Sequence, residues 1–212
     1  MQRFMLQQNV ALFQAALKAE EDDAVRRTIR DMLGGAQRDL ALLEAALFGV
    51  QPSPRRTLSV PGDAARNRSL GALLRDRFEQ SQQPYLLLHP GSGLHIVDVN
   101  DAYARATMIS RAAVVGRPIF EVFPDNPNYS DADGVRNLYT SLRAAAESGQ
   151  PDAMPIQRYD VRDTEGRFVE RHWRPVNTPL LDDEGSVAYL LHHVEDVTDK
   201  VAPAAAGAPP RR

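Results

Sequence analysis

Two turns of the same design constrain this chain most: Asp163-Thr164-Glu165-Gly166 and Asp182-Asp183-Glu184-Gly185. An aspartate side chain accepts backbone N–H groups just downstream, and glycine takes the left-handed conformation without penalty, so each tetrapeptide closes a hairpin. They separate three stretches with strand character, residues 154–162, 168–179 and 187–197. Within the second, Trp173, Pro175 and Asn177 alternate with His172, Arg174 and Val176; within the third, Leu190, His192 and Val194 alternate with Leu191 and His193. Alternate residues of a strand point to opposite faces, so this meander has one face to cover.

The segment before it supplies the cover. Tyr85-Leu86-Leu87-Leu88 and residues 94–99 flank the turn His89-Pro90-Gly91-Ser92-Gly93 and read as a further hairpin. Asn100-Asp101 caps a helix through Ala102, Tyr103, Ala106 and Met108. Gly116-Arg117-Pro118 restarts the chain for Ile119 to Phe123, and Pro124 ends it. After a loop rich in Asn, Asp and Pro, Val135, Leu138 and Leu142 share one face of a longer helix that stops near Gly149-Gln150-Pro151. Five antiparallel strands with helices gathered on one face make an α+β domain over residues 83–201.

Residues 1–49 read as two antiparallel helices. Leu6, Val10, Phe13 and Leu17 form one apolar stripe, the cluster Glu20-Glu21-Asp22-Asp23 interrupts it, and Asp22 or Asp23 caps a second helix carrying Val25, Ile29, Ala36, Leu40, Leu43 and Leu47. Gly34-Gly35 marks a candidate bend, each glycine costing about 1 kcal/mol relative to alanine. Such a hairpin buries little by itself and needs a partner, either its own domain or a second copy, which makes Leu6, Val10, Phe13 and Leu17 dimer-interface candidates and the chain a candidate homodimer. Pro52, Pro54, Pro61 and Gly62 mark a linker over 50–68; a short helix is expected over 69–82, capped by Ser69, and a disordered tail over 202–212.

Composition removes several classes of function. The net charge of -3 provides no basic face for nucleic acid. No run of about 18 apolar residues would span a membrane, so a cytoplasmic protein is expected. Cysteine is absent, which excludes thiolate catalysis, disulfides and thiolate metal ligands. His89 and His95 flank a turn with no third ligand nearby, so no metal site is expected, and Gly91-Ser92-Gly93 lacks the spacing of a nucleophile elbow. No enzymatic constellation is present.

Three strings, in the right order, carry a resemblance to a known family. Ile96-Val97-Asp98-Val99-Asn100-Asp101-Ala102-Tyr103 resembles the second strand of a PAS domain running into its first helix. Val115-Gly116-Arg117-Pro118-Ile119-Phe120-Glu121-Val122-Phe123-Pro124 resembles a segment common in bacterial PAS sensors, and Val194-Glu195-Asp196-Val197-Thr198 the family's Asp-(I/V)-Thr terminus. The resemblance spans residues 85–201 and is nearest to sensor PAS domains that precede histidine kinases in two-component systems. It implies the PAS fold, a non-catalytic signalling role, a cavity between sheet and helices for a small organic ligand, and a histidine kinase or other signalling protein as partner. The cysteinyl-flavin photochemistry of some relatives is excluded by the missing cysteine. The usual haem mode needs a histidine on the long helix, and none lies between Val135 and Ser148; the cofactor is otherwise unknown.

Tyr103 and Phe120, from the matching strings, are cavity candidates. Trp173 and Asn177 share a strand face; Trp173 is a core or dimer-face anchor or a ligand contact. Either His192 or His193 points inward, as a satisfied core histidine or a ligand contact. Arg136 and Asn137 open the long helix at its positive end and could take a carboxylate or phosphate, unless Arg136 is tied to Asp131 or Asp133. Asp196 and Thr198 are the signal-coupling candidates. Because few residues follow before Pro203, output is expected through the N-terminal hairpin, covering the outer face of the sheet. The alternatives are the sensory half of a longer histidine kinase or regulator, and a purely structural interaction module.

Overall fold

Asp22 starts the second helix: its Oδ1 accepts the backbone N–H groups of Ala24 and Val25 at 2.8 and 3.0 Å, satisfying donors that the first helical turn leaves without partners. The computed structural model describes residues 1–50, 78–129 and 131–201. The expected linker, most of the expected helix over 69–82 and the tail lie outside the described residues; of that helix, residues 78–80 are helical. Helix α1 (Gln2–Ala19) and helix α2 (Asp23–Phe48) form the hairpin, and α2 runs through Gly34 and Gly35 without a break.

The expected strand–helix order follows: β1 (Tyr85–Leu88), β2 (Ile96–Val99), α3 (Asp101–Thr107), α4 (Arg111–Val114), α5 (Ile119–Val122) and α6 (Gly134–Ser148). Then come β3 (Asp152–Ala153), β4 (Gln157–Arg158), β5 (Val161–Arg162), β6 (Phe168–Val169), β7 (His172–Leu181) and β8 (Val187–Asp196). The antiparallel sheet runs β2-β1-β8-β7, and β3 and β4 share the edge beside β7. The fold class is the expected one. The continuous strand expected over 154–162 is instead broken, with β5 pairing β6 in a separate small ladder. Two prolines explain the break. Pro155 lacks an N–H, and Pro175, which stands opposite Met154 in the register of β3 and β7, lacks one too, so the Met154 N–H to Pro175 carbonyl bond of 3.0 Å is unreciprocated.

Asn100 ties the entrance of the domain together. Its Oδ1 accepts from the N–H groups of Tyr103 (2.9 Å), as the cap of α3, and Tyr85 (3.0 Å). Its Nδ2 donates to the carbonyls of Gln83 (2.8 Å) and Phe78 (3.1 Å). The inner face of the sheet packs on the helices through fully buried Leu86, Leu88, Ile96, Ile119, Leu142 and Leu190. Each such side chain contributes roughly 1.5–3 kcal/mol relative to an exposed one.

The hairpin does not cover the outer face of the sheet, contrary to expectation. Helix α2 lies against α6 and the β1–β2 turn, with Ala41 and Ala45 in the core. The turn clasps the end of α2: Gly93 N–H donates to the Ala45 carbonyl (2.8 Å), Ser92 Oγ to Leu47 (2.8 Å), and Val50 N–H to Pro90 (2.9 Å). The Ser92 bond satisfies a carbonyl that the helix end leaves open, since Leu47 lies in the last turn of α2. Gly49 permits the approach, since at its φ of 62° a Cβ would sit 2.2 Å from the carbonyl oxygens of Pro90 and Gly91. Alanines and a hydrogen-bonding turn, rather than a long apolar stripe, decide the docking face. Leu6, Val10, Phe13 and Leu17 are half-buried on a helix that packs on α2, while Phe4, Met5 and Leu12 on α1 stay exposed.

Candidate functional site

The alternation of β7 and β8 turns Trp173, Pro175, Asn177, Leu190, His192 and Val194 inward, so of the two adjacent histidines His192 is the internal one. Opposite them stand Tyr103 and Thr107 from α3, Ile119 and Phe123 around α5, and Gly134 and Leu138 from α6. The broken edge closes the remaining side with Met154, Gln157, Tyr159 and Val161. With Trp173, Pro175, His192 and Val194 of the sheet they line a cavity of about 50 Å³ with no charged side chain in its wall. Pockets for drug-sized ligands run to about 300–1,000 Å³, whereas a water needs only about 10–15 Å³, so this cavity takes a few atoms before its walls must move.

Tyr103 and Phe123 meet edge to face at 6.1 Å between centroids, and Tyr103 and His192 at the same distance. Trp173 Nε1 donates to the Tyr159 carbonyl (2.8 Å), and the Tyr159 hydroxyl donates to the Phe123 carbonyl. Gly134 makes room for that ring, since a Cβ there would lie 1.6 Å from it. Burial holds the Tyr103 and Tyr159 hydroxyls well above the usual phenol range. Burial, with a smaller contribution from the charge of His193, pushes His192 down to about 3, so the imidazole is neutral.

A buried hydrogen-bond chain leaves the cavity wall at His192. Its Nδ1 meets Asn177 Oδ1 at 2.7 Å, Asn177 Nδ2 donates to Ser141 Oγ at 2.7 Å, and Ser141 donates to Asp152 Oδ2 at the sheet edge. Asn177 is therefore placed behind the cavity wall, as the partner of His192. Phe120 is buried but lines a second groove of about 240 Å³ between α2 and the 124–129 loop.

Arg136 lies outside the cavity: it pairs with Asp133 at 2.6 Å and donates to Gln37 Oε1 on α2 at 2.6 Å. Asn137 bonds Gln157 (2.6 Å). Asp196 Oδ1 accepts from Thr198 N–H and Oγ1 at 2.9 and 2.6 Å, and Thr198 Oγ1 accepts from His172 N–H at 2.9 Å, so the two residues seal the end of the β7–β8 pair. Among the described residues no cluster of three His, Asp or Glu side chains could hold a metal ion, and no described helix is long and apolar enough to cross a membrane.

The family model for the PAS fold matches residues 78–202, more than half of the chain. The chain belongs to the PAS family. Members of this family are generally sensory and signalling modules. No curated protein sequence matches the chain. Among solved structures, the PAS domain of the fruit-fly ELK potassium channel is similar at 15% identity, with 60% of this chain and 96% of that one covered and a TM-score of 0.46. A PAS domain from Colwellia psychrerythraea is similar at 13% identity, over 60% and 98% of the two chains, with a TM-score of 0.45. The Rhodobacter sphaeroides LOV protein stands at 12% identity, 65% and 72% coverage and a TM-score of 0.49.

Sequence reasoning named Tyr103, Trp173 and His192 from the wall but missed Phe123, Leu138 and Tyr159. Tyr159 sits where the alternation is interrupted, so no periodic signal pointed to it. The glycine that accommodates its ring, Gly134, lies 25 positions earlier in the chain.

Proposed function

We propose that this PAS domain is the sensory part of a signalling protein: it takes a small neutral organic molecule into the cavity and passes the change to the α1–α2 hairpin. The observation that carries this reading is the double use of α6. Gly134 and Leu138 on one side of that helix are cavity wall. On the other side Tyr139 Oη donates to the Gly49 carbonyl (3.1 Å), Arg136 bonds Gln37, and Arg143 pairs with Glu44 (3.5 Å). A ligand larger than the cavity favours the conformation with its walls apart, and displacement of α6 reaches α2 through those bonds. Nothing in this reading requires a reaction.

Native mass spectrometry of protein purified without denaturant tests the reading, with a bound small molecule as the expected result. An empty protein whose α2 amides also exchange hydrogen at an unchanged rate across a panel of small aromatic molecules would overturn it.

A second copy of the chain is the partner proposed for the hairpin, because the open side of α1 presents Phe4, Met5 and Leu12 at 64%, 59% and 62% exposure. Light scattering of the pair Met5→Lys and Leu12→Lys should then report a smaller species than the parent. An unchanged mass would leave the hairpin to a different partner, such as a kinase.

A further inference from the structure

The hydrogen-bond chain behind the cavity determines which kind of molecule the cavity accepts, an inference that rests on the ligand-binding reading above. The chain can be read backwards from its end. Asp152, as a carboxylate, has no proton to give, so Ser141 must donate to it. A hydroxyl has one proton, so Ser141 Oγ accepts from its other neighbour, Asn177 Nδ2, at 2.7 Å. That orients the Asn177 amide and turns its Oδ1 to His192 Nδ1 at 2.7 Å, where the ring must be the donor. The proton of the neutral imidazole is thereby held on Nδ1, and Nε2 is left as a bare acceptor.

Nε2 has no hydrogen-bond partner among the described residues, and His192 is only 4% exposed. Its Nδ1 edge is turned to Asn177, which stands behind the wall, so the Nε2 edge is the one given to the cavity. The Tyr103 hydroxyl, on a side chain 3% exposed, also has no partner among the described residues. Around these two groups the wall is aromatic and aliphatic, with Phe123, Tyr159 and Trp173 supplying flat faces. An unpaired acceptor inside an apolar cavity has lost its water without regaining a hydrogen bond, so a ligand that satisfies it is favoured over one of the same shape that does not.

We propose that the cavity selects a small, neutral, flat aromatic molecule bearing an O–H or N–H group, with that donor delivered to His192 Nε2. The Tyr103 hydroxyl is the complementary donor for an acceptor atom on the same molecule. Anions and cations are rejected, because no charged side chain in the wall would balance them.

Phenol and anisole test this, since they share a ring and an oxygen and differ in the donor. Binding is read in the full chain from the fluorescence of Trp173, the only tryptophan, which lies in the cavity wall. Phenol should bind at least about tenfold more tightly than anisole, and His192→Phe should bring the two together. The ¹⁵N resonances of the parent imidazole give the same answer without a variant: Nε2 should be the unprotonated nitrogen and should shift with phenol but not with anisole. Equal binding of both would overturn the donor rule while leaving the cavity a ligand site. A protonated Nε2 would overturn the tautomer on which the rule stands. Failure of either compound to change Trp173 fluorescence up to its solubility, a cavity filled by water only, would remove the ligand site and the rule together.

Discussion

The two sides of α6 are held by different forces. The side with Gly134, Leu138 and Ser141 meets a largely apolar wall, where contact is mostly dispersion and burial beside the Ser141 chain and the Asn137–Gln157 bond. Its other side, with Arg136, Tyr139 and Arg143, meets α2 through directional bonds, and the β1–β2 turn grips the same helix with three more. Nondirectional packing tolerates a shift of a few tenths of an ångström, whereas hydrogen bonds weaken steeply with misalignment. One side can therefore shift against its neighbours, and the other holds α2 by directional bonds.

The largest expected effect on this contrast comes from acid, and it acts on the cavity side. His192 has a folded value of about 3 against an ordinary value of 6.5, so the unfolded chain binds its proton first. Stability present above pH 6.5 is lost as pH falls toward 3, by up to about 5 kcal/mol at 1.36 kcal/mol per unit. Urea unfolding at a series of pH values checks it, with His192→Gln as the reference in which this part of the slope disappears. Identical slopes in both proteins would mean that the imidazole is not buried neutral.

Next comes the joint. Gly49→Ala meets both a positive φ and two carbonyl oxygens at 2.2 Å, and should cost about 3 kcal/mol with α2 detached from the turn. Faster hydrogen exchange at Gly93 and Val50 would show the detachment. If the melting temperature does not move, the clasp is not a fixed joint and the contrast fails.

Gly134→Ala probes the adaptable side. Its Cβ would strike the Tyr159 ring, and overpacking of this kind costs about 1–3 kcal/mol. Tyr159 is expected to move into the cavity, so aromatic probes should no longer quench Trp173 although the protein remains folded. Retained binding would place the ligand elsewhere. Arg143→Ala is the smallest change: its side chain is 46% exposed, and Glu44 keeps its partner Arg3 at 2.9 Å. A loss below about 1 kcal/mol that disappears at high salt is expected from thermal unfolding.

Much of the site was legible before any tertiary contact was known. Alternation on two long strands grouped Trp173 with Asn177 and Leu190 with His192, because a strand has only two sides, and left open which of His192 and His193 faces inward. Reading Asn100 as a cap was similarly secure, since its role is set within three residues of itself. Arg136 shows the limit of such reasoning. A helix N-terminus attracts anions, but whether it meets a ligand, Asp133 or Gln37 depends on what the fold brings there, and it brings Asp133 and Gln37. The amphipathic stripe on α1 likewise announced that something packs on it without saying what.

By itself the sequence determined the order of strands and helices, the grouping of residues on the two faces of each long strand and the family, because these follow from local periodicity, turn chemistry and short contiguous strings. Three features were decided by tertiary structure alone: the docking of α2 on α6, the break at Met154-Pro155 beside Pro175, and the proton on Nδ1 of His192. Each depends on groups far apart in the chain meeting at hydrogen-bond or van der Waals distance. No periodicity within one segment encodes such a meeting.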